Sequence, residues 1–350
     1  MKLETTQDIL ELMQGSFSSA VVGAAMELGL FWLLAEQPLP PGEVAQALSL
    51  PLNRCQLWLQ ILSKLGFLER GLAGYAPSPL AREAILNAQS RDTWAFQARE
   101  DRESAALVRD LALNIGKPIA GWQTGNPTSP DYFQHFQTDP AYALGLTRKL
   151  YEIHLSLAEQ LANLLDVRGV KSLLDLGGGS GVVSFSLLRK QPDLTSVVVD
   201  TENVCRAGRE LAAEHHLEKR ITYLPADLQE DDLPSGFDMA LLCDVGIFSE
   251  TLFRRIYAVL NPHGRLIIVD KFAPSRTSPP PSRLWSAFFD SLEHPAQPLD
   301  FLTTEVVQAR LQQAGFGDVS VTPVPPEDHL PWNIDWTMLE VRKPTGNDEL

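Results

Sequence analysis

Apolar residues recur at near-helical spacing from the start of the chain, at Ile9, Met13, Phe17, Val21 and Ala24, then at Leu28, Leu30, Leu33 and Leu34. They predict a first helix whose apolar stripe must be covered by something. Helical patterning continues from residue 7 to about 115. Pro40-Pro41-Gly42 opens a short helix that ends near Leu48, proline being tolerated at a helix start. A second helix over about 53–65 carries Leu57, Leu59, Ile61, Leu62 and Leu65. Gly66 stops it, and Phe67-Leu68-Glu69-Arg70, a turn over 71–74 and Tyr75-Ala76 read as a small hairpin.

Helix, helix, hairpin is a winged-helix pattern. Its second helix offers only Arg54 and Lys64 as cations, which is weak for phosphate neutralisation. Packing against a partner copy is therefore the favoured reading over DNA binding. Residues 125–165 bridge the halves, with Tyr132, Phe133, Phe136 and Tyr142 ahead of a helix over about 145–165.

From Lys171 the period changes to short apolar strands alternating with helices, the pattern of a doubly wound parallel α/β sheet. Strands are predicted at 172–176, 196–200, 221–224, 237–243, 265–270, 319–322 and 336–341. Pro279-Pro280-Pro281 marks a surface loop after the fifth of them. The domains are accordingly drawn at 1–115, helical, 116–165, an interdomain linker, and 166–345, α/β.

At 350 residues the chain is long enough for two cores, and no unbroken apolar run of roughly 18 residues suits a membrane span. The N-terminal stretch has acids where a signal peptide is basic, so a cytoplasmic protein is expected. Lys+Arg 29 against Asp+Glu 44 gives a net charge of −15, which repels a nucleic-acid backbone. Cys55, Cys205 and Cys243 match neither a disulfide framework nor a zinc site, and no histidine pair has metal-ligand spacing.

The most informative stretch is Leu173-Leu174-Asp175-Leu176-Gly177-Gly178-Gly179-Ser180-Gly181. A strand running into a glycine-rich turn that opens a helix points free amides at a nucleotide-like ligand. The dinucleotide spacing G-x-G-x-x-G/A fails at Val182, and no Lys-Ser/Thr follows to make a P-loop. The spacing obeyed is D-x-G-x-G-x-G, on Asp175, Gly177, Gly179 and Gly181. Asp200 ends the second strand, where a carboxylate can accept both ribose hydroxyls of an adenosine. Asp227 follows the third strand and suits an adenine amino group. Either acid alone is equally a cap or a solvated loop residue.

Here the sequence resembles the S-adenosylmethionine-dependent small-molecule O-methyltransferases, which join a winged-helix dimerisation domain to a Rossmann-like domain. The likeness rests on Ala24–Phe31, Glu43-Val44-Ala45, Leu62–Leu68, the glycine loop, Asp200, Ala226-Asp227, Asn261-Pro262-His263-Gly264 and Ala314-Gly315-Phe316. Arg265 departs from it, standing where the family has a second glycine. The resemblance implies a seven-stranded Rossmann-like catalytic domain, a homodimer, S-adenosylmethionine as cofactor and a small, aromatic or polyketide-like acceptor. By it Gly177 and Gly179 back the methionine portion, Asp200 binds the ribose, Asp227 and Leu228 flank the adenine, and Cys243 contacts the cofactor. Cys243 equally suits the role of a small buried hydrophobe.

The family's histidine base falls on Ile247, so the usual base is missing. A positioned base contributes roughly 10²–10⁴-fold. Asp290 and His294, spaced i, i+4, are candidates for an orienting acid and a base, unless Pro295 ends the helix and leaves His294 at the surface. Trp285, Phe288, Phe289 and Leu292 are candidates for an aromatic acceptor wall, against core packing, the commoner role of a helix stripe; Asp244 is a third candidate, against a capping role, and His135 and His154 are further pocket candidates. His215-His216 is expected in an exposed helix. Without the base, methylation at carbon, a repurposed reaction such as hydroxylation or decarboxylation, or a cofactor-binding protein without turnover stay open beside methylation at oxygen.

Overall fold

A computed structural model describes residues 3–117, 136–293, 298–325 and 335–344. Among these, the residues through Asp110 form one compact unit and those from Leu111 onward a second.

In the first unit the predicted single helix is divided into three, Thr6–Met13, Gly15–Glu27 and Leu30–Glu36. The first is held by a capping box in which Thr5 and Asp8 each accept the other's backbone N–H. The chain then turns by 44° ahead of Gly15. Gly29, at φ +73°, supplies the left-handed residue that ends the second helix. This divides the apolar stripe. Ala25, Leu30, Phe31 and Leu34 are fully buried with Val44, Leu59 and Leu62, whereas Met13 and Phe17 are each 73% exposed. The helices Pro41–Ala47 and Leu52–Lys64 and the hairpin of β1 (Leu68–Gly71) and β2 (Gly74–Pro77) follow as predicted. Paired Leu39 and Tyr75 amides tie the hairpin to the chain ahead of Pro40. There Gly74 lies against Leu39 too closely for any side chain.

The second unit is built on a seven-stranded sheet of β3 (Ser172–Leu176), β4 (Thr195–Asp200), β5 (Ile221–Pro225), β6 (Phe237–Cys243), β7 (Leu260–Asp270), β8 (Ser320–Pro323) and β9 (Thr337–Arg342). Its order is β5-β4-β3-β6-β7-β9-β8, with β9 antiparallel to both neighbours. Leu173, Leu174, Leu176, Ala240 to Leu242 and Leu266 to Val269 are buried, as expected of central strands covered on both faces. Helices Pro140–Leu164, Val182–Lys190 and Glu202–Glu214 pack around β3 and β4, and one core cluster contains Phe185, Leu161 and Val198. Glu250–Val259 and Thr304–Gln313 supply Phe253, Ile256, Val307 and Leu311 to a second cluster. Arg265 is buried, with Nη1 on Glu340 of β9 at 3.0 Å, so this departure from the family pattern joins two strands. The ends of β3 to β7 that carry ligands in open α/β sheets therefore lie along one edge.

Candidate active site

The glycine loop leaves β3 and enters the helix Val182–Lys190 with Gly177, Gly179 and Gly181 at φ +64°, +56° and +80°. Three left-handed residues at alternate positions explain the spacing, because L side chains are strained there. Gly177 N–H donates to Val199 O at 2.8 Å, and Tyr223 Oη donates to Ser180 O at 2.7 Å. A Cβ on Gly179 would meet nothing within 4 Å, so open space lies against the backbone where a ligand can approach.

Asp175 lies beneath this loop, with its carboxyl against Gly178 and accepting from Ser184 Oγ at 2.6 Å. Burial pushes that carboxyl up to about 6, against the Ser184 hydrogen bond and with help from the charge of Asp200. Asp200, at the end of β4, accepts from Gly179 N at 2.9 Å and from Thr201 N at 2.7 Å. Burial pushes it up as well, while both amides hold it down. Asp227 is exposed and accepts from Gln229 N at 2.7 Å, a local turn contact, and the buried Leu228 gives its carbonyl to Arg255. Cys243 is half-buried at the end of β6, and burial pushes its thiol well up.

One residue further, Asp244 adopts φ +55°, a strained conformation for a residue with a side chain. Its carboxylate collects two cations and an imidazole: Lys271 Nζ at 3.0 and 3.1 Å, Arg283 Nη2 at 2.8 Å, and His154 Nε2 at 3.5 Å. His154 Nδ1 lies 2.9 Å from Leu150 O. Burial alone pushes the Asp244 carboxyl up, but His154, Lys271 and Arg283 outweigh it and hold it well below the usual carboxylate range. Asp270 ends β7 and accepts from Lys271 N at 2.7 Å, Gly246 N at 3.2 Å and Arg283 Nη2 at 3.3 Å. Burial first, then the neighbouring Asp244, pushes it up. Lys271 Nζ also stands 4.1 Å above the Trp336 ring.

Beside this cluster is a cavity of about 390 Å³ walled by Gly246, Phe248, Asp270, Lys271, Arg283 and the helix Leu284–Glu293, among others. The helix presents Ser286, Ala287, Asp290 and Ser291 to it. The aromatic candidates do not line this cavity: Trp285 is 76% exposed, Phe288 and Phe289 meet edge to face at 5.3 Å, and Leu292 is buried. Asp290 is exposed on the cavity wall, and the proposed partner His294, like His135, lies outside the described residues. Ile247 is half-buried against the second core cluster, that of Phe253 and Val307. His215 corrects another expectation, since it packs on Tyr151 and Phe185 at 5.1 and 5.5 Å. Among the described residues no three His, Cys, Asp or Glu side chains could hold a metal ion, and no single helix is long and apolar enough to cross a membrane.

Sequence reasoning missed Lys271, Asp270 and Arg283. Asp270-Lys271 stands at a strand's carboxyl end, a signal that was available; Arg283, in a proline-rich loop, gave none.

Residues 116–292 match the O-methyltransferase domain family, and residues 10–85 match the O-methyltransferase dimerisation domain. The chain is 27% identical over 240 residues to the 3-hydroxy-5-methyl-1-naphthoate 3-O-methyltransferase of Streptomyces sahachiroi, covering 67% of this chain and 66% of that protein. It is 26% identical over 332 residues to the tetracenomycin polyketide synthesis 8-O-methyl transferase of Streptomyces glaucescens, covering 92% and 95%. The solved mitomycin 7-O-methyltransferase shares the fold at 21% identity, with a TM-score of 0.75 over 96% of this chain and 97% of that one. With its domain match spanning half the sequence, the chain belongs to the O-methyltransferase family.

Proposed function

We propose that this protein transfers the methyl group of S-adenosylmethionine to an oxygen of a small aromatic or polyketide-like acceptor. The carrying observation is the loop with alternating left-handed glycines whose Gly179 amide is held by Asp200. The residues present fit S-adenosylmethionine: open space lies over Gly179, a carboxylate sits at the end of β4, and Asp227 and Leu228 follow β5. When bound, the donor supplies a methyl group already activated on a sulfonium.

The chain's residues then have separate tasks. Gly177, Gly179 and Gly181 let the backbone approach the methionine portion, and Asp200 keeps a lone pair on each oxygen for the ribose hydroxyls. Asp227 and Leu228 flank the adenine, and Cys243 contacts the cofactor. Asp175 acts through the loop, fastening it from below. Ile247 stands at the position of the family's base, so alignment of the acceptor and exclusion of water carry the reaction. A second reading gives the acceptor proton to Asp290 with His294 as acid and base pair. Acceptor and oxygen as the methylated atom are read from the naphthoate and polyketide relatives. The dimerisation match and the exposed Met13 and Phe17 support a homodimer.

Calorimetric titration with S-adenosylmethionine, with NADH in parallel, tests this reading. Binding of S-adenosylmethionine that weakens in Asp200→Ala, followed by a methyl mass gain on a hydroxynaphthoate, is the expected result. Absence of S-adenosylmethionine binding overturns it.

A further inference from the structure

We infer that Arg283, supported by Lys271, binds the acceptor as its oxyanion, so the acceptor class is an acidic hydroxyl compound, a phenol or enol, that yields its proton to water. This rests on the reading that methyl transfer is to oxygen.

Among the described residues, the wall of the cavity nearest the end of β7 carries two cations, Lys271 and Arg283, and no neutral base. Arg283 Nη2 is fixed by Asp244 and Asp270, while Nε and Nη1 have no partner among the described residues. An arginine anchored through one nitrogen keeps the rest of its planar fork for an anionic oxygen, and its charge does not vary with pH. Lys271 lines the same wall, anchored by both oxygens of Asp244 and by the Trp336 ring.

Charge balance permits the anion. Asp244 and Asp270 face Lys271 and Arg283, with His154 as a further partner of Asp244, so an arriving oxyanion meets donors rather than a net negative field. The remaining acids on the wall, Asp290 and Asp300, are exposed, where water screens them, and Asp300 is paired with Arg276 at 2.7 Å. Asp244 pays for this arrangement with its left-handed backbone, a cost that is usually found where function requires it.

The sequence of bonds then closes without a side-chain base. The acceptor O–H bond breaks as its proton passes to water, and the oxygen's electron pair forms the O–CH₃ bond while the S–CH₃ pair returns to sulfur. By lowering the pKa of the hydroxyl, the cations do the work of a base at the position of Ile247, which has no titratable group.

The test uses 4-nitrophenol, whose phenolate absorbs visibly, bound to the protein loaded with S-adenosylhomocysteine and titrated with pH. In the native protein the bound probe should ionise about one pH unit below the free probe, equivalent to about tenfold tighter binding of phenolate than phenol. Arg283→Gln should abolish that shift, Arg283→Lys should keep part of it, and Arg276→Gln should leave it unchanged. An unshifted probe, preference for the neutral phenol, absence of probe binding, or the same shift in Arg283→Gln overturns the inference. Circular dichroism identifies a variant that fails to fold, in which case Arg283→Lys decides. Calorimetry with S-adenosylmethionine on the same samples separates the two readings: loss of donor binding in the native protein sinks methyl transfer, whereas donor binding and product formation without the probe shift sink only the oxyanion site.

Discussion

The carboxylate of Asp200 accepts the backbone N–H of Gly179 at 2.9 Å, which joins the acid at the end of β4 to the loop after β3. Asp200→Ala removes a charged hydrogen-bond acceptor from the loop and, by the proposed function, from the donor's ribose. Such bonds contribute about 1.5–3 kcal/mol, so S-adenosylmethionine affinity should fall at least about tenfold in calorimetry, with the fold retained.

Gly177 has a second constraint beyond its positive φ, because a Cβ there would stand 2.9 Å from Val245 Cγ2. Gly177→Ala should weaken both stability and donor binding. Val245→Ala should restore part of the loss but not the backbone strain of about 1–2 kcal/mol. A double-mutant cycle by thermal unfolding and calorimetry should therefore be non-additive.

Asp175 gives a pH signature. Its folded carboxyl is raised from 3.8 to about 6, so the native state binds the proton more tightly than the unfolded chain. Stability from this residue is fully present below pH 3.8 and is lost as pH rises to about 6, by up to about 3 kcal/mol. Asp175→Asn, which still accepts from Ser184, should flatten the unfolding free energy over that range in urea titrations.

Asp244 has the opposite sign. Its depressed carboxyl contributes stability above pH 3.8 that is lost on acidification. Asp244→Asn leaves Lys271 and Arg283 without their shared anion and should cost about 3 kcal/mol at neutral pH, measured by denaturant unfolding.

The exposed apolar face of Thr6–Met13 and its continuation at Phe17 should be covered by a second copy. Phe17→Glu is expected to shift sedimentation from dimer to monomer while the circular dichroism spectrum stays unchanged.

Much of the sheet is readable from sequence because β3, β6 and β7 are apolar on both faces, and because glycines at alternate positions have few uses other than a left-handed loop. The first helix misleads because its spacing continues across Gln14 and Gly29, and periodicity carries no information about where a chain bends. The cavity wall misleads for a related reason. The stripe at Arg283, Ser286, Ala287 and Asp290 obeys helical spacing as well as the aromatic one does, and hydrophobicity alone does not pick out the face that lines the cavity. The grouping of His154, Asp244, Lys271 and Arg283 spans 130 residues of chain and depends on tertiary structure throughout.

Trp336, which caps Lys271, immediately precedes β9, the strand that closes the sheet between β7 and β8. During translation the glycine loop, Asp200 and both cations leave the ribosome well before that strand. The first unit can fold as it emerges, since domains generally fold as units in order of synthesis. The second must wait with its β7 edge unpaired, so the nascent protein cannot assemble its ion cluster in final form until residues 336–342 are made.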